Sequence, residues 1–198
     1  VKRTFVAGSG PGRRDADAPP PKPISPTWLE RSALHYLERY SASTEMLRRT
    51  LARRVEKRAR LRGEDPAAFA EMIAATVARA VSAGLVDDTR FTETRVATLR
   101  RRGTSSRGVS AKLAAKGVPR DVVEAAMQAE RDAVPEGEAA DIEAQAAQAY
   151  AKRRRLGPFR RPDLRAAHRD RDLAALARAG FAYALARHVV DAEIDGVE

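Results

Sequence analysis

Leu113-Ala114-Ala115-Lys116-Gly117-Val118, with Val122, Val123 and Met127 behind it, reads as a helix, a glycine stop, an apolar residue and a second helix. Shifted by 63 residues, Leu113 falls on Leu176, Gly117 on Gly180, Val118 on Phe181, Val122 on Leu185 and Met127 on Val190, without a gap. Shifted by 62 the other way, Val109 and Leu113 fall on Leu47 and Leu51. A glycine just past a helix supplies the left-handed residue that ends it. An Ala-rich helical chain can align with itself by chance, but gapless glycine and apolar matches favour true repetition. Each unit is then a lead helix plus a helical hairpin of about 60 residues. A unit this small buries little alone, so neighbours must share a seam.

From Pro26 onward the segments follow the helical period. Leu29, Ala33, Tyr36, Leu37 and Tyr40 share one face, as do Leu47, Leu51 and Val55 after a cap at Ser41 or Ser43. A charged connector is expected from Glu56 to Asp65. Phe69, Met72, Ile73, Thr76, Val77, Ala80 and Val81 make the strongest stripe, and Gly84 ends it. Asp87, Asp88 and Thr89 offer caps for a helix with Phe91, Val96 and Leu99, which Gly103 breaks. Ser105 or Ser106 opens the next helix. Pro135 and Gly137 mark a turn, an Ala/Gln helix runs from Glu138 to Arg155, and Gly157-Pro158 closes it. Leu164–Ala179 and a stripe of Leu185, Ala186, Val189 and Val190 complete the chain. No window alternates with period two, so no sheet is expected. The expected fold class is all-α, a tandem array of three-helix repeats at 27–85, 86–134 and 138–195. Residues 1–26, rich in Gly and Pro, read as a disordered tail.

The 198 residues carry 37 Lys and Arg against 27 acids, a net charge of +10. Such an excess suits a polyanion or an acidic protein surface. Compositional drift towards Arg and Ala is the competing account, and clustering argues against it. Arg95 to Arg120 holds eight bases and no acid; Arg48 to Arg62 holds eight against Glu56; Lys152 to Arg171 holds nine against Asp163 and Asp170. Asp121 to Gln148 inverts the balance. A charge run is usually a solvated face, but three in corresponding places could form one stripe. Few aromatics interleave with them, so phosphate or carboxylate contacts are expected rather than base stacking.

Catalytic and metal chemistry finds little support. There is no cysteine, and His35, His168 and His188 lack ligand spacing. Asp87-Asp88 suits helix capping better than Mg²⁺, and Ser105-Ser106 has no nearby base. Gly8-Ser9-Gly10-Pro11-Gly12 lacks the strand and Lys-Ser/Thr of a phosphate loop. No enzyme, no cofactor, no membrane span and no signal peptide are expected, which makes the cytoplasm the default location.

Gly84-Leu85-Val86-Asp87-Asp88-Thr89-Arg90-Phe91 resembles the G-L-x-D-D-x-R-F signature of the RecX family. Arg101-Arg102-Gly103, Leu113 to Val118, and Val122-Val123-Glu124-Ala125-Ala126 follow that family's central portion in order. Ala33 to Leu37 and Ser43 to Leu51 resemble its first unit. The charged connector is longer than the family's short turn, and the third unit is looser. The resemblance implies an elongated, curved array, a monomer, that lodges in the groove of the RecA–DNA filament and restrains the recombinase. Contacts with filament or with single- or double-stranded DNA are expected from Arg100, Arg101, Arg102, Arg107, Lys112, Lys116, Arg120, Lys152, Arg153, Arg154 and Arg155. Of consecutive Arg100, Arg101 and Arg102, about 100° apart on a helix, only one or two can face a partner. Two other readings stay open. One is a sequence-specific DNA-binding module on the Val109–Met127 helix pair, against which Leu113 counts. The other is a scaffold that binds nucleic acid through charge alone.

Overall fold

Four of the described α-helices start where a small oxygen-bearing side chain takes an orphan backbone amide. In the computed structural model, which describes residues 21–135 and 139–193, Ser25 accepts from the Trp28 amide at 3.3 Å and opens α1, Pro26–Leu37. Ser43 accepts from the Met46 amide and opens α2, Thr44–Arg62. A 3₁₀ turn, Pro66–Phe69, leads into α3, Ala70–Ser82. Asp87 caps α4, Asp88–Arg101, by accepting from the Arg90 amide at 3.0 Å. Ser105 caps α5, Ser106–Ala115, and α6 is Arg120–Asp132. The last three are α7, Ala139–Arg154, α8, Pro162–Arg178, and α9, Tyr183–Asp191. No strand occurs among the described residues, and the all-α repeat reading stands.

Each triplet of helices closes its own core. Leu29, Leu47, Leu51, Val55, Ile73 and Val77 pack in the first, and Phe91, Val96, Val109, Leu113, Val123 and Met127 in the second. Ala147, Ala151, Leu173, Leu176, Phe181 and Val189 pack in the third. Small alanines on α7 let its neighbours approach closely, which is how an Ala-rich sequence still builds a core.

Three expectations need correction. The stretch from Glu56 is not a connector: α2 runs on to Arg62 and ends at Gly63, φ +66°. Arg, Lys and Glu are good helix formers. Ala59, fully buried four residues beyond Val55, extends the apolar stripe. The added turns also have a task. Arg58 donates to the Lys22 carbonyl at 2.7 Å and Arg62 to the Pro21 carbonyl at 2.6 Å. The Arg58 guanidinium lies 4.6 Å from the Trp28 ring centroid, and Ile24 is buried in the first core. Residues 21–25 are therefore a packed strap rather than part of a disordered tail; residues 1–20 lie outside the described residues. Tyr40, expected on the apolar face of α1, lies past its end and is 57% exposed. The expected turn at Gly137 and the helix start at Glu138 also fall outside the described residues.

Candidate cationic interface

The units join by the same device twice. The Ser43 hydroxyl, besides capping α2, donates to the Lys116 carbonyl at the end of α5, 2.6 Å away. The Ser105 hydroxyl, besides capping α5, donates to the Ala179 carbonyl at the end of α8, also at 2.6 Å. The second helices of the three units thus stack head to tail, α8 to α5 to α2. Each positive N-terminus meets a negative C-terminus, which is favourable for the helix dipoles. An acid from the next unit's lead helix completes each junction. Asp88 accepts from the Thr44 amide at 2.7 Å, and Glu143 accepts from the Ser106 amide at 3.0 Å. The Asp87-Asp88 pair therefore divides its work: one caps its own helix, the other caps a neighbour's. Gly117 and Gly180 are forced at these contacts. Both have positive φ, and a Cβ on Gly117 would fall inside the Glu45 side chain, one on Gly180 against the Ser105 hydroxyl.

Arg100 belongs to this framework and not to the exposed surface, which corrects its assignment as a partner contact. Its side chain is 9% exposed. It donates to Glu130 at 3.0 Å, to Glu143 at 2.6 Å and to the Ser106 hydroxyl at 2.8 Å. A buried guanidinium must spend its fork of donors on fixed acceptors. Arg100 does so at the junction of units two and three. The helical period already placed it there: it stands four residues after buried Val96.

The other cations divide by position. The Gly103 backbone, φ +72°, lies against the Tyr150 backbone on α7, with no room for a Cβ. That contact brings exposed Arg101 and Arg102, at the end of α4, beside the end of α7. There the Arg153 and Arg154 guanidinium carbons lie 5.8 and 5.7 Å from the Tyr150 ring centroid. Lys152 and Arg155 are exposed in the same turn, Arg155 with φ 55°. Two helix ends carrying basic runs 50 residues apart in sequence thus lie at one junction. Arg107 abuts Gly180 at this junction. Lys112 reaches the Thr104 hydroxyl at 3.3 Å. Lys116 lines a groove at the other junction with Tyr36, Met46, Arg49 and Arg53, partners that the sequence reading did not join to it. Arg120 stands apart on α6, paired with Glu124 at 2.6 Å.

Nothing here favours the helix-turn-helix alternative. The exposed face of α6 carries Asp121, Glu124 and Asp132 against Arg120 and Arg131, a poor match to phosphates. Among the described residues no group of acids and histidines could hold a metal ion. No described helix is long and apolar enough to cross a membrane.

The fold and its junctions define the class: an all-α protein of three-helix repeats joined end to end. A family model described as "RecX, second three-helix domain" matches residues 87–127, the span from the α4 cap to Met127 on α6. The Regulatory protein RecX of Myxococcus xanthus (strain DK1622) is 40% identical over 187 residues, 93% of this chain and 96% of the relative. That of Agrobacterium fabrum (strain C58 / ATCC 33970) is 29% identical over 176 residues, 89% of each chain. No solved structure gives a significant match. The chain belongs to the RecX family, and its relatives are named as regulatory proteins.

Proposed function

We propose that this chain is a non-enzymatic regulator, acting in the cytoplasm, that binds the RecA–DNA filament and restrains the recombinase. Family membership supports the role. The observation that carries the reading is the close Gly103–Tyr150 backbone contact, which sets the end of α4, with exposed Arg101 and Arg102, against α7 near its end, where Lys152, Arg153, Arg154 and Arg155 are exposed. Arginine forks at that junction match phosphate and carboxylate alike, so they suit a partner made of both protein and DNA. Arg107, Lys112 and Lys116 extend the surface along α5, an element about 15 Å long. DNA, single- or double-stranded, would be contacted here through its phosphates.

The test is inhibition of RecA ATP hydrolysis on single-stranded DNA. Arg102→Glu with Arg154→Glu should weaken inhibition at unchanged helicity. Equal inhibition by this double variant and the wild type would remove the junction from the interface. Strong binding to naked DNA, with no preference for filaments at matched salt, would favour a charge-driven scaffold instead.

A further inference from the structure

The junction of units one and two carries a surface that the basic runs alone do not reveal. Tyr36 and Tyr40 pack on each other with ring centroids 5.3 Å apart and planes tilted by 36°. Tyr36 is half-buried against the first core, which braces the pair, while Tyr40 stands in solvent. On the Tyr36 side lies the groove with Arg53 and Lys116. On the Tyr40 side a second groove is lined by Arg39, Phe91, Thr94 and Arg95. No acid lines either groove. None of Arg39, Arg53, Arg95 and Lys116 has an ion-pair partner among the described residues. Arg49, by contrast, is engaged by Glu45 and by the Ala115 carbonyl.

We propose that this surface binds single-stranded nucleic acid, with an unpaired base stacked on Tyr40 and flanking phosphates held by Arg39 and Arg95 on one side and Arg53 and Lys116 on the other. Every base has a π-face, so a braced aromatic between two cationic grooves accepts a strand of any sequence. A duplex keeps its bases stacked inside and cannot use the ring. An acidic peptide would satisfy the cations but gains nothing specific from an exposed ring face. The site lies at the other junction from the Arg101–Arg155 surface and needs no recombinase, so it goes beyond the filament reading.

The experiment uses the full chain and a fluorescent oligo-dT strand of about 15 nucleotides, read by anisotropy at two salt concentrations. Tyr40→Ala should raise the Kd about tenfold, since stacking on one aromatic is worth that much per base. Tyr40→Phe should bind like the wild type. Tyr40 lies outside the helices and is largely exposed, so Tyr40→Ala should fold; circular dichroism checks this. Arg39→Glu with Arg95→Glu should reduce the salt slope by about 0.7 unit per lost phosphate contact. An abasic strand of equal length should bind wild type and Tyr40→Ala alike, and more weakly than oligo-dT binds the wild type. The proposal fails if Tyr40→Ala binds oligo-dT as the wild type does, if the abasic strand binds as tightly as oligo-dT, or if poly-glutamate displaces the strand as well as unlabelled oligo-dT does. The last result would assign the surface to acidic proteins. No recombinase is present, so failure here leaves the filament reading untouched.

Discussion

The hydroxyl of Ser43 donates to the main-chain carbonyl of Lys116, joining the start of one unit's second helix to the end of the next unit's. Ser105 and Ala179 repeat the bond one unit on. Each serine oxygen also accepts the amide that caps its own helix, so one atom serves two helices.

Ser43→Ala and Ser105→Ala should each destabilise the protein by about 0.5–2 kcal/mol, the range for losing a cap. The flanking glycines should be less tolerant. Gly117→Ala must take positive φ and displace Glu45, whereas Gly63→Ala, with open space around it, suffers only the backbone strain. Urea unfolding should therefore rank Gly117→Ala well below Gly63→Ala in stability. Equal midpoints would mean that the unit junctions open freely.

The repeat and the glycine stops were legible because each places a local demand on one residue type, a missing Cβ at positive φ. The buried and half-buried charges were harder to see, though not hidden. Arg100 follows Val96 by four, Glu143 precedes Ala147 by four, and Asp172 precedes Leu176 by four. Each sits on an apolar stripe, and composition alone files such residues with their exposed neighbours. The extension of α2 was misread for the related reason that charge density looks like a loop when its partners, here the Pro21 and Lys22 carbonyls, are distant in sequence. Which cations gather at the Gly103–Tyr150 contact depends on how units dock, and no single unit's period reports that.

Arg100→Ala should cost about 1–3 kcal/mol, because Glu130 loses its cation and Glu143 is left with Ser106 alone. Arg101→Ala, exposed one residue later, should change stability by less than about 0.5 kcal/mol. Chemical denaturation of both variants separates a junction residue from a surface one. Similar effects of the two substitutions would contradict the burial of Arg100.

The third unit should carry an acid-sensitive contact. Asp172 is buried on α8, which by itself pushes its carboxyl up. Hydrogen bonds from the Arg160 guanidinium and the Gly157 amide outweigh this and hold it below the ordinary aspartate value. A group depressed in the folded state stabilises the fold above its unfolded pKa, about 3.9. That contribution is lost as pH falls from there through the lower folded value. Asp172→Asn should lower stability at pH 6 and flatten its fall below about pH 4. Asp172→Ala should cost more, since the Gly157 amide loses its acceptor, a penalty of about 1–3 kcal/mol. Unfolding curves at pH 6 and pH 3 make the comparison; parallel pH slopes for wild type and Asp172→Asn would refute it.

The packed strap sets where the chain can be shortened. Removing residues 1–20 should leave thermal stability nearly unchanged. Removing 1–25 should lower it, because Ile24 leaves the first core and Arg58 and Arg62 lose their carbonyl partners. Burying a side chain such as Ile is worth about 1.5–3 kcal/mol. A scan that finds both truncations equally stable would show the strap to be dispensable.

Lys112 on α5 and Lys116 just past its end, four residues apart, stand one step around the helix from fully buried Leu113. Their surroundings differ: Lys112 leans on the Thr104 hydroxyl, while Lys116 lines the groove at the opposite junction. Neither has an acidic partner among the described residues, so reversing their charge breaks no ion pair that the fold uses. Lys112→Glu with Lys116→Glu should therefore keep the helicity and weaken inhibition of RecA ATP hydrolysis. The matched control is Arg13→Glu with Arg14→Glu, which makes the same change in net charge. If the lysines meet phosphates, the salt slope of filament binding should fall by about one unit for each, and the control should shift it little. Lys116 lies in both the proposed filament surface and the proposed oligonucleotide groove, so Lys112→Glu alone is the sharper probe of a filament contact. If the lysine and control pairs behave alike at two salt concentrations, the α5 cations are a solvated face and the contact lies elsewhere on the array.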